Sequence, residues 1–241
     1  MEATLHQTDH KEWLVVGSSP SANEYARLCK YRHPMASVIC TNSSGRLFPE
    51  GPDFYYVNAL MFGDAKVDNK YLDDCRRYKR QGTRLITVKR STKAQIKRGT
   101  EWFDEFLTMD GPGATWKFKI GHYSDWSMSG LMIAQYALNM GAEKVHMIGH
   151  EGYRSNGTKA EFDHFDGAPG PTNGEHCTNV LIQPAMQAMI DACPFVEFIF
   201  YGCMNYRVTG QNVHFIGNHD VLEKNGPLPI WGHGGRNKDE G

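Results

Sequence analysis

Short apolar runs alternate with helix-like patterns along most of this chain. The runs that are typical of buried strands lie at residues 13–16, 37–40, 54–57, 85–88, 145–148 and 196–200. Helical periodicity, with apolar residues three and four positions apart, is found at 22–32, 67–80, 99–107, 128–140 and 180–192. Strands that alternate with helices indicate a mostly parallel, buried sheet with helices on both faces. The sequence therefore predicts an α/β protein.

The domain organisation follows from the chain length and from one polar stretch. A chain of 241 residues is long enough for one domain with a real core, and we expect residues 1–224 to form it. Residues 150–176 are rich in Gly, Pro, Asn and His and have little periodicity, so a flexible lid is expected at about 154–175. Residues 225–241 are expected to be a flexible C-terminal tail.

Several classes of protein are disfavoured by the composition. No apolar run approaches the length of a membrane span, and the first residues do not resemble a signal peptide. The six cysteines are scattered without a Cys-x-x-Cys pair, and several lie inside apolar runs. This pattern is typical of buried free thiols in a reducing compartment. We expect a cytoplasmic protein, and the sequence leaves homo-oligomerisation open.

Residues 76–98, which we call the basic segment, carry ten basic residues and no acidic one, although the net charge of the chain is only −1. A segment with this excess of positive charge indicates an anionic partner, such as a nucleic acid or a phosphorylated glycan. The alternative is a solvated edge of the domain, because the strand-like run at 85–88 interrupts the segment.

Candidate site residues follow the predicted strands, because open α/β sheets bind ligands beyond the carboxyl ends of their strands. The first run is followed by a turn of small residues at 17–21, which suits a nucleotide because N–H groups at a helix start lack internal partners. A plain strand-to-helix connection is the alternative. Asn42 and Asn58 follow the next two runs and suit a ribose or a base edge, or simply a turn. Ser129 and Gly130 open a helix and form a second candidate phosphate site.

A longer pattern resembles a known family. In order, the chain has Ser129-Gly130, an apolar helix, Gly141, a strand, Gly149, an acidic residue and Tyr153. This stretch resembles the bacterial sialyltransferases of glycosyltransferase family 42. The turn at 17–21 resembles that family's Gly-Asn-Gly-Pro-Ser turn, and Glu175-His176-Cys-Thr-Asn179 resembles the segment that opens with its catalytic histidine. The same signature occurs in a related Rossmann-like family that includes archaeal 6-hydroxymethylpterin pyrophosphokinases. The resemblance covers roughly residues 13–205.

The resemblance implies a Rossmann-like (GT-A-like) fold and an inverting glycosyltransferase that needs no metal or other cofactor besides its nucleotide-sugar co-substrate. His176 would be the general base that takes a proton from the acceptor hydroxyl, and a pKa near 6.5 suits that task. Tyr153 would hydrogen-bond the departing phosphate. The donor would be bound by Gly17, Ser18, Ser19, Pro20, Ser21, Asn42, Asn58, Ser129, Gly130, Glu151 and Tyr153.

Trp126 departs from the family pattern, since those sialyltransferases have an arginine before the Ser-Gly helix. The loss of that cation favours a neutral sugar over a carboxylated one, and an aromatic ring suits stacking on a sugar or a base. Together with the basic segment, this suggests DNA that carries a hydroxylated base, as in phage-type DNA modification, or an anionic glycan as the acceptor. The acceptor would be bound by Trp126, Arg76, Arg77, Arg80, Lys89 and Arg90.

No Asp-x-Asp motif follows a strand, so a metal-bridged diphosphate is not indicated and no metal is expected. The alternative cation site would combine His164, Asp166 and His176. Two other functions stay open: a Mg-dependent pyrophosphokinase that acts on a pterin-like alcohol, and a non-catalytic nucleotide-binding protein. A magnesium requirement would separate the pyrophosphokinase from the glycosyltransferase.

Overall fold

The computed structural model describes residues 10–57, 68–88, 103–107, 129–152, 154–155, 160–161, 179–202, 204 and 206–217. Their strands are β1 (Glu12–Val16), β2 (Ser37–Thr41), β3 (Phe54–Tyr56), β4 (Arg84–Val88), β5 (Glu105–Leu107), β6 (Lys144–Ile148), β7 (Arg154–Ser155), β8 (Ala160–Glu161), β9 (Glu197–Tyr201) and β10 (Val213–Ile216). The helices are α1 (Ser21–Arg32), α2 (Asp68–Arg80), α3 (Ser129–Asn139) and α4 (Asn179–Ala192), and a 3₁₀ helix spans Asn42–Leu47.

Eight of these strands form one parallel sheet in the order β10-β9-β6-β1-β2-β3-β4-β5. The chain moves outward from β1 to β5 and then returns to the other side of β1 with β6. The strand order reverses between β1 and β6, which makes this the topological switch point of the sheet. A separate antiparallel pair joins β7 to β8.

Helices cover both faces of the sheet because its strands are apolar on both sides. Along β1, Trp13 and Val15 belong to one core cluster, together with residues of α3 and α4. Leu14 and Val16 belong to the other cluster, together with residues of α1 and α2. Strands that are buried on both faces need continuous apolar runs, which is why the sequence revealed them. The predicted α/β fold, with a parallel sheet and helices on both faces, is confirmed.

Two edge strands were missed by the sequence analysis. The helix predicted over 99–107 is wrong at residues 105–107, which form β5. This strand is only three residues long and is held by pairing with β4, while the Asp104 carboxylate accepts the Leu85 N–H at 2.9 Å. Strand β10 pairs only with β9. These short edge strands form because they pair with strands distant in sequence, and local periodicity does not predict them.

Three expectations concern residues that the structure describes only in part. Of the predicted lid, only β7 and β8 are described, and the predicted tail lies outside the described residues. Of the described cysteines, Cys29, Cys40 and Cys75 are buried free thiols, as expected, and Cys193 is buried as well. In the described part of the chain, no helix combines the length and the apolar character that a membrane crossing requires.

Candidate functional site

Strands β1 and β6 leave the sheet side by side, and their backbones meet at two glycines. The Gly17 N–H donates to the Ile148 carbonyl at 2.8 Å, and the Ser19 N–H donates to the Gly149 carbonyl at 3.2 Å. A Cβ at Gly17 would overlap the Gly149 carbonyl oxygen, and one at Gly149 would lie 2.7 Å from the Gly17 oxygen. Close backbone approach therefore requires glycine at 17. We call this region, formed by residues 17–21, 42 and 149–151, the switch-point crevice.

A carboxylate already occupies the start of α1. The Ser21 N–H donates to Glu151 Oε1 at 2.6 Å, and the Ser21 hydroxyl accepts the Gly149 N–H at 2.9 Å. The next two amides of the helix donate to the carbonyls of Ser19 and Pro20. A negative charge at a helix N-terminus is stabilising, so Glu151 takes the position that a phosphate would otherwise suit. The free amides that the sequence analysis expected at this turn are thus bound within the protein.

Buried polar atoms without a hydrogen-bond partner gather at the crevice. An unpaired buried polar group costs about 1–3 kcal/mol, so a cluster of them in one place requires an explanation. Those found among the described residues at this edge follow β1, β2, β6 and β9, which are neighbours in the sheet. They include Asn42 Oδ1, His150 Nε2 and the Tyr206 hydroxyl. Ser19 Oγ and Glu151 Oε2 also lack a well-formed hydrogen bond, although the Ser19 hydroxyl interacts with the Glu151 carboxyl. This cluster makes the region a candidate ligand site.

Asn42 is held in an unusual backbone conformation directly after β2. Its φ of 53° lies in the left-handed region, which asparagine tolerates better than most residues. The Tyr55 hydroxyl donates to the Asn42 carbonyl at 2.8 Å and supports this turn. Strained backbone of this kind is frequent where a side chain must face a ligand. The structure thus brings Asn42 to the crevice with its amide oxygen unpaired.

His150 follows β6 by two residues, and the sequence motifs gave it no role. Its ring lies between two glycines: a Cβ at Gly130 would be 2.9 Å from His150 Cε1, and one at Gly17 would be 3.3 Å from Nε2. The imidazole hydrogen-bonds to the backbone of Val15, and burial lowers its pKa to about 4. The ring is therefore neutral at physiological pH, and Nε2 faces the crevice as an acceptor. Its position just after an apolar strand, next to Gly149, was the available sequence signal.

The buried, neutral state of His150 predicts a pH dependence of stability. Between pH 4 and 6.5 the unfolded chain binds a proton that folded His150 does not bind, so stability falls as the pH drops. We expect the free energy of unfolding of the wild type, relative to that of His150→Gln, to decrease by about 3 kcal/mol from pH 7 to pH 4. Denaturant titrations of both proteins measure this difference, and a constant difference would contradict a neutral His150.

The two oxygens of the Glu151 carboxyl differ: Oε1 accepts the Ser21 N–H, and Oε2 has no well-formed hydrogen bond. Burial raises its pKa above the ordinary value, while its bond to the Ser21 N–H acts in the opposite direction. Burial and the nearby Glu151 charge likewise raise the pKa of the Tyr206 phenol. In the pH titration above, Glu151 opposes His150: its folded-state pKa is raised, so its contribution to stability is present at low pH and is lost as the pH rises. Both the wild type and His150→Gln contain Glu151, so its contribution cancels in the difference between their free energies of unfolding.

Three of the predicted acceptor-binding arginines, Arg76, Arg77 and Arg80, lie in the last turns of α2. This helix is about 20 Å long and is followed by β4, so Arg80 lies near the amino end of that strand. Arg76 pairs with Asp73 at 3.3 Å and Arg77 with Asp74 at 3.2 Å, whereas Arg80 is exposed. Acidic residues outside the basic segment therefore neutralise part of it.

The remaining predicted site residues fall into two groups. The structure brings Ser18, Ser129 and Gly130 to the crevice, with Ser18 Oγ 3.5 Å from the Thr41 carbonyl oxygen and Gly130 against the His150 ring. Pro20 lies in the turn but is exposed. Asn58, Lys89, Arg90, Trp126, Tyr153 and His176 lie outside the described residues, as do His164 and Asp166.

Comparison with known proteins adds a structural relative. A variant of the sialyltransferase CST-II, solved in complex with CMP, matches with a TM-score of 0.50 and 13% identity over 89% of this chain and 98% of that chain. The two chains share a fold. A second CST-II variant with CMP matches with a TM-score of 0.49 and 12% identity over the same shares. No protein-family model and no curated protein matches the sequence.

The shared fold agrees with the resemblance to glycosyltransferase family 42 that the motifs indicated. The pyrophosphokinase alternative receives no support from these comparisons. At this level of identity the match concerns the arrangement of strands and helices, so the chemistry must be argued from the crevice itself.

Proposed function

We propose that this protein is a glycosyltransferase that binds a nucleotide-sugar donor in the switch-point crevice and transfers the sugar to an acceptor hydroxyl. The observation that carries the proposal is the cluster of unpaired buried polar atoms after four neighbouring strands. The fold supports it, because the structural relative is a sialyltransferase with CMP bound. The motif order from Ser129 to Tyr153 supports it independently.

The chemistry of the crevice favours the nucleoside half of the donor. Asn42 Oδ1, Glu151 Oε2 and His150 Nε2 are hydrogen-bond acceptors, whereas ribose hydroxyls and base amino groups are donors. A phosphate has only acceptors to offer and would be repelled by the Glu151 carboxylate when that group is charged. We infer that the ribose or base lies against these three side chains, with the phosphate farther from α1.

The transfer step is proposed from the sequence motifs. His176 would remove the proton from the acceptor hydroxyl as that oxygen attacks the anomeric carbon from the side opposite the nucleotide, which inverts the configuration. Tyr153 would hydrogen-bond the phosphate that leaves with the bonding electrons. No metal is required in this scheme. The acceptor stays a prediction: DNA with a hydroxylated base or an anionic glycan, bound by Trp126 and by the basic segment.

Nucleotide binding tests the donor site directly. The full chain is heated with CMP, UDP, GDP, ADP or ATP and with their sugar conjugates, once in the presence of EDTA and once with Mg²⁺. A nucleotide at 100 times its Kd should stabilise the protein by about 2.7 kcal/mol, which raises Tm. We expect one nucleotide to do so without magnesium. A shift that requires ATP and Mg²⁺ would instead support the pyrophosphokinase, and no shift would contradict a donor site.

Two variants locate that binding in the crevice. Asn42→Gly removes the amide but keeps the left-handed backbone, and Glu151→Gln removes the charge but keeps the shape. Each is expected to weaken nucleotide binding by about 10-fold, which corresponds to about 1.4 kcal/mol for a lost hydrogen bond. Glu143→Gln is the matched control, since Glu143 is exposed at the other edge and pairs only with Lys11 among the residues described. Equal affinities for Glu151→Gln and Glu143→Gln would place the nucleotide elsewhere.

A further inference from the structure

A second cluster of polar side chains lies at the amino edge of the sheet, away from the switch-point crevice. Glu12 begins β1, His33 follows the end of α1, and His146 projects from β6 on the face that α1 covers. One carboxylate oxygen, Glu12 Oε1, is 3.1 Å from His33 Nδ1 and 3.0 Å from His146 Nε2. The three ligand atoms all lie within 4.8 Å of one another.

These distances match a small coordination sphere. Zinc binds imidazole nitrogen and carboxylate oxygen at about 2.0–2.2 Å, so ligand atoms around a tetrahedral ion are about 3.3 Å apart. The two distances from Glu12 Oε1, 3.1 and 3.0 Å, are within a few tenths of an ångström of that spacing, and the two histidine nitrogens lie within 4.8 Å of each other. His33 and Glu12 have side chains about one-third exposed, at 30% and 31%, which allows both the movement and the entry of an ion from solvent.

A hydrogen bond on the far side of the ring orients His146, the buried residue of the cluster. The Tyr201 hydroxyl lies 2.9 Å from His146 Nδ1, and this hydroxyl also contacts Cys29. Ligating histidines usually hold their second ring nitrogen in such a hydrogen bond, which fixes the ring and its tautomer. When Nδ1 carries the proton and donates a hydrogen bond to the Tyr201 oxygen, Nε2 carries the lone pair that faces Glu12. In that tautomer two lone pairs face each other across 3.0 Å, which a metal cation or an added proton between them would stabilise.

We propose that Glu12, His33 and His146 form a zinc site with a fourth position open to water. Two nitrogens and one carboxylate oxygen are a donor set typical of zinc, and harder cations such as Mg²⁺ prefer oxygen ligands alone. The bound ion would join the start of β1, the end of α1 and the middle of β6. Because it lies at the edge opposite the crevice, this zinc would stabilise the fold and leave the transfer chemistry metal-independent.

Direct binding measurements test the site. The full chain, stripped with EDTA and dialysed, is titrated with ZnCl₂ against a chromophoric chelator, and Co²⁺ is added separately to record the visible bands of a tetrahedral site. We expect one high-affinity equivalent, a higher Tm with zinc and Co²⁺ bands. His33→Gln and Glu12→Gln should each weaken zinc binding by at least about 100-fold, more than the effect of an outer partner, and Tyr201→Phe by about 10-fold.

The control variant is His214→Gln, because His214 is a half-exposed histidine that lies 3.4 Å from the Glu197 carboxylate. It should keep the wild-type zinc affinity and the Co²⁺ bands. The alternative is a cluster without metal, in which both imidazoles donate hydrogen bonds to the Glu12 carboxylate. That arrangement predicts no binding of zinc. Absence of a high-affinity equivalent, or equal zinc affinity in wild type and His33→Gln, would overturn the proposal. Neither outcome depends on nucleotide binding.

Discussion

Replacing Gly17 with alanine is expected to lower the free energy of unfolding by about 3 kcal/mol or more and to abolish nucleotide binding. The added methyl group would overlap the Gly149 carbonyl oxygen, which belongs to the backbone and cannot rotate away. Strands β1 and β6 would have to separate where the Gly17 N–H donates to the Ile148 carbonyl. Denaturant unfolding measures the first effect, and nucleotide-dependent Tm shifts measure the second.

Ser18→Ala is the neighbouring control for this change. The Ser18 hydroxyl makes only a long contact, 3.5 Å from the Thr41 carbonyl oxygen, so its removal should change stability by less than about 1 kcal/mol. Gly149→Ala should reproduce the Gly17→Ala defect, because its Cβ would lie 2.7 Å from the Gly17 oxygen. A Gly17→Ala protein with wild-type Tm would show that the two backbones do not approach this closely.

Replacing His176 with alanine is expected to lower the rate of sugar transfer by about 10²–10⁴-fold, the usual contribution of a general base. Affinity for the nucleotide should stay within about twofold of wild type, because the crevice that we propose for the nucleoside contains Asn42, His150 and Glu151 instead. The rate is measured as release of free nucleotide from the donor that the binding screen identifies, with acceptor present.

His214→Ala provides the comparison for this substitution, since it removes a half-exposed histidine from edge strand β10. It should leave both transfer and binding unchanged. If His176→Ala transfers sugar at the wild-type rate, the base assigned from the motif is wrong even where the donor site is right. If the wild type binds a nucleotide but transfers no sugar, the result favours the alternative of a non-catalytic nucleotide-binding protein.

The catalytic and donor predictions rest on different parts of the molecule. The donor site rests on buried atoms of the described crevice, whereas His176 and Tyr153 rest on motif order alone. The screen with EDTA and the Asn42→Gly and Glu151→Gln variants test the crevice. The His176→Ala rate tests the motif. The two results can therefore fail separately.

The acceptor prediction shows how charge read along a chain differs from charge in space. Residues 76–98 contain no acidic residue, yet Asp73, Asp74, Asp104 and Glu105 contact basic residues of this segment. Two of these acids precede the segment on α2, and two come from the edge strand region beside β4. Sequence distance concealed the pairs of Asp104 and Glu105, because strand pairing brings β5 next to β4, whereas Asp73 and Asp74 lie just outside the segment on the same helix.

The sequence by itself determined the sheet and the edge of the sheet where a ligand would bind. Strands buried on both faces require continuous apolar runs, and a parallel sheet places the residues after each strand at one edge, so Gly17, Asn42 and Glu151 could be named in advance. Only the tertiary structure decided what these residues do there. It put the Glu151 carboxylate on the first amide of α1, His150 between Gly17 and Gly130, and Glu12 beside two histidines. Each of these contacts joins residues more than 15 positions apart, and their distances depend on strand order and helix packing, which local patterns do not encode.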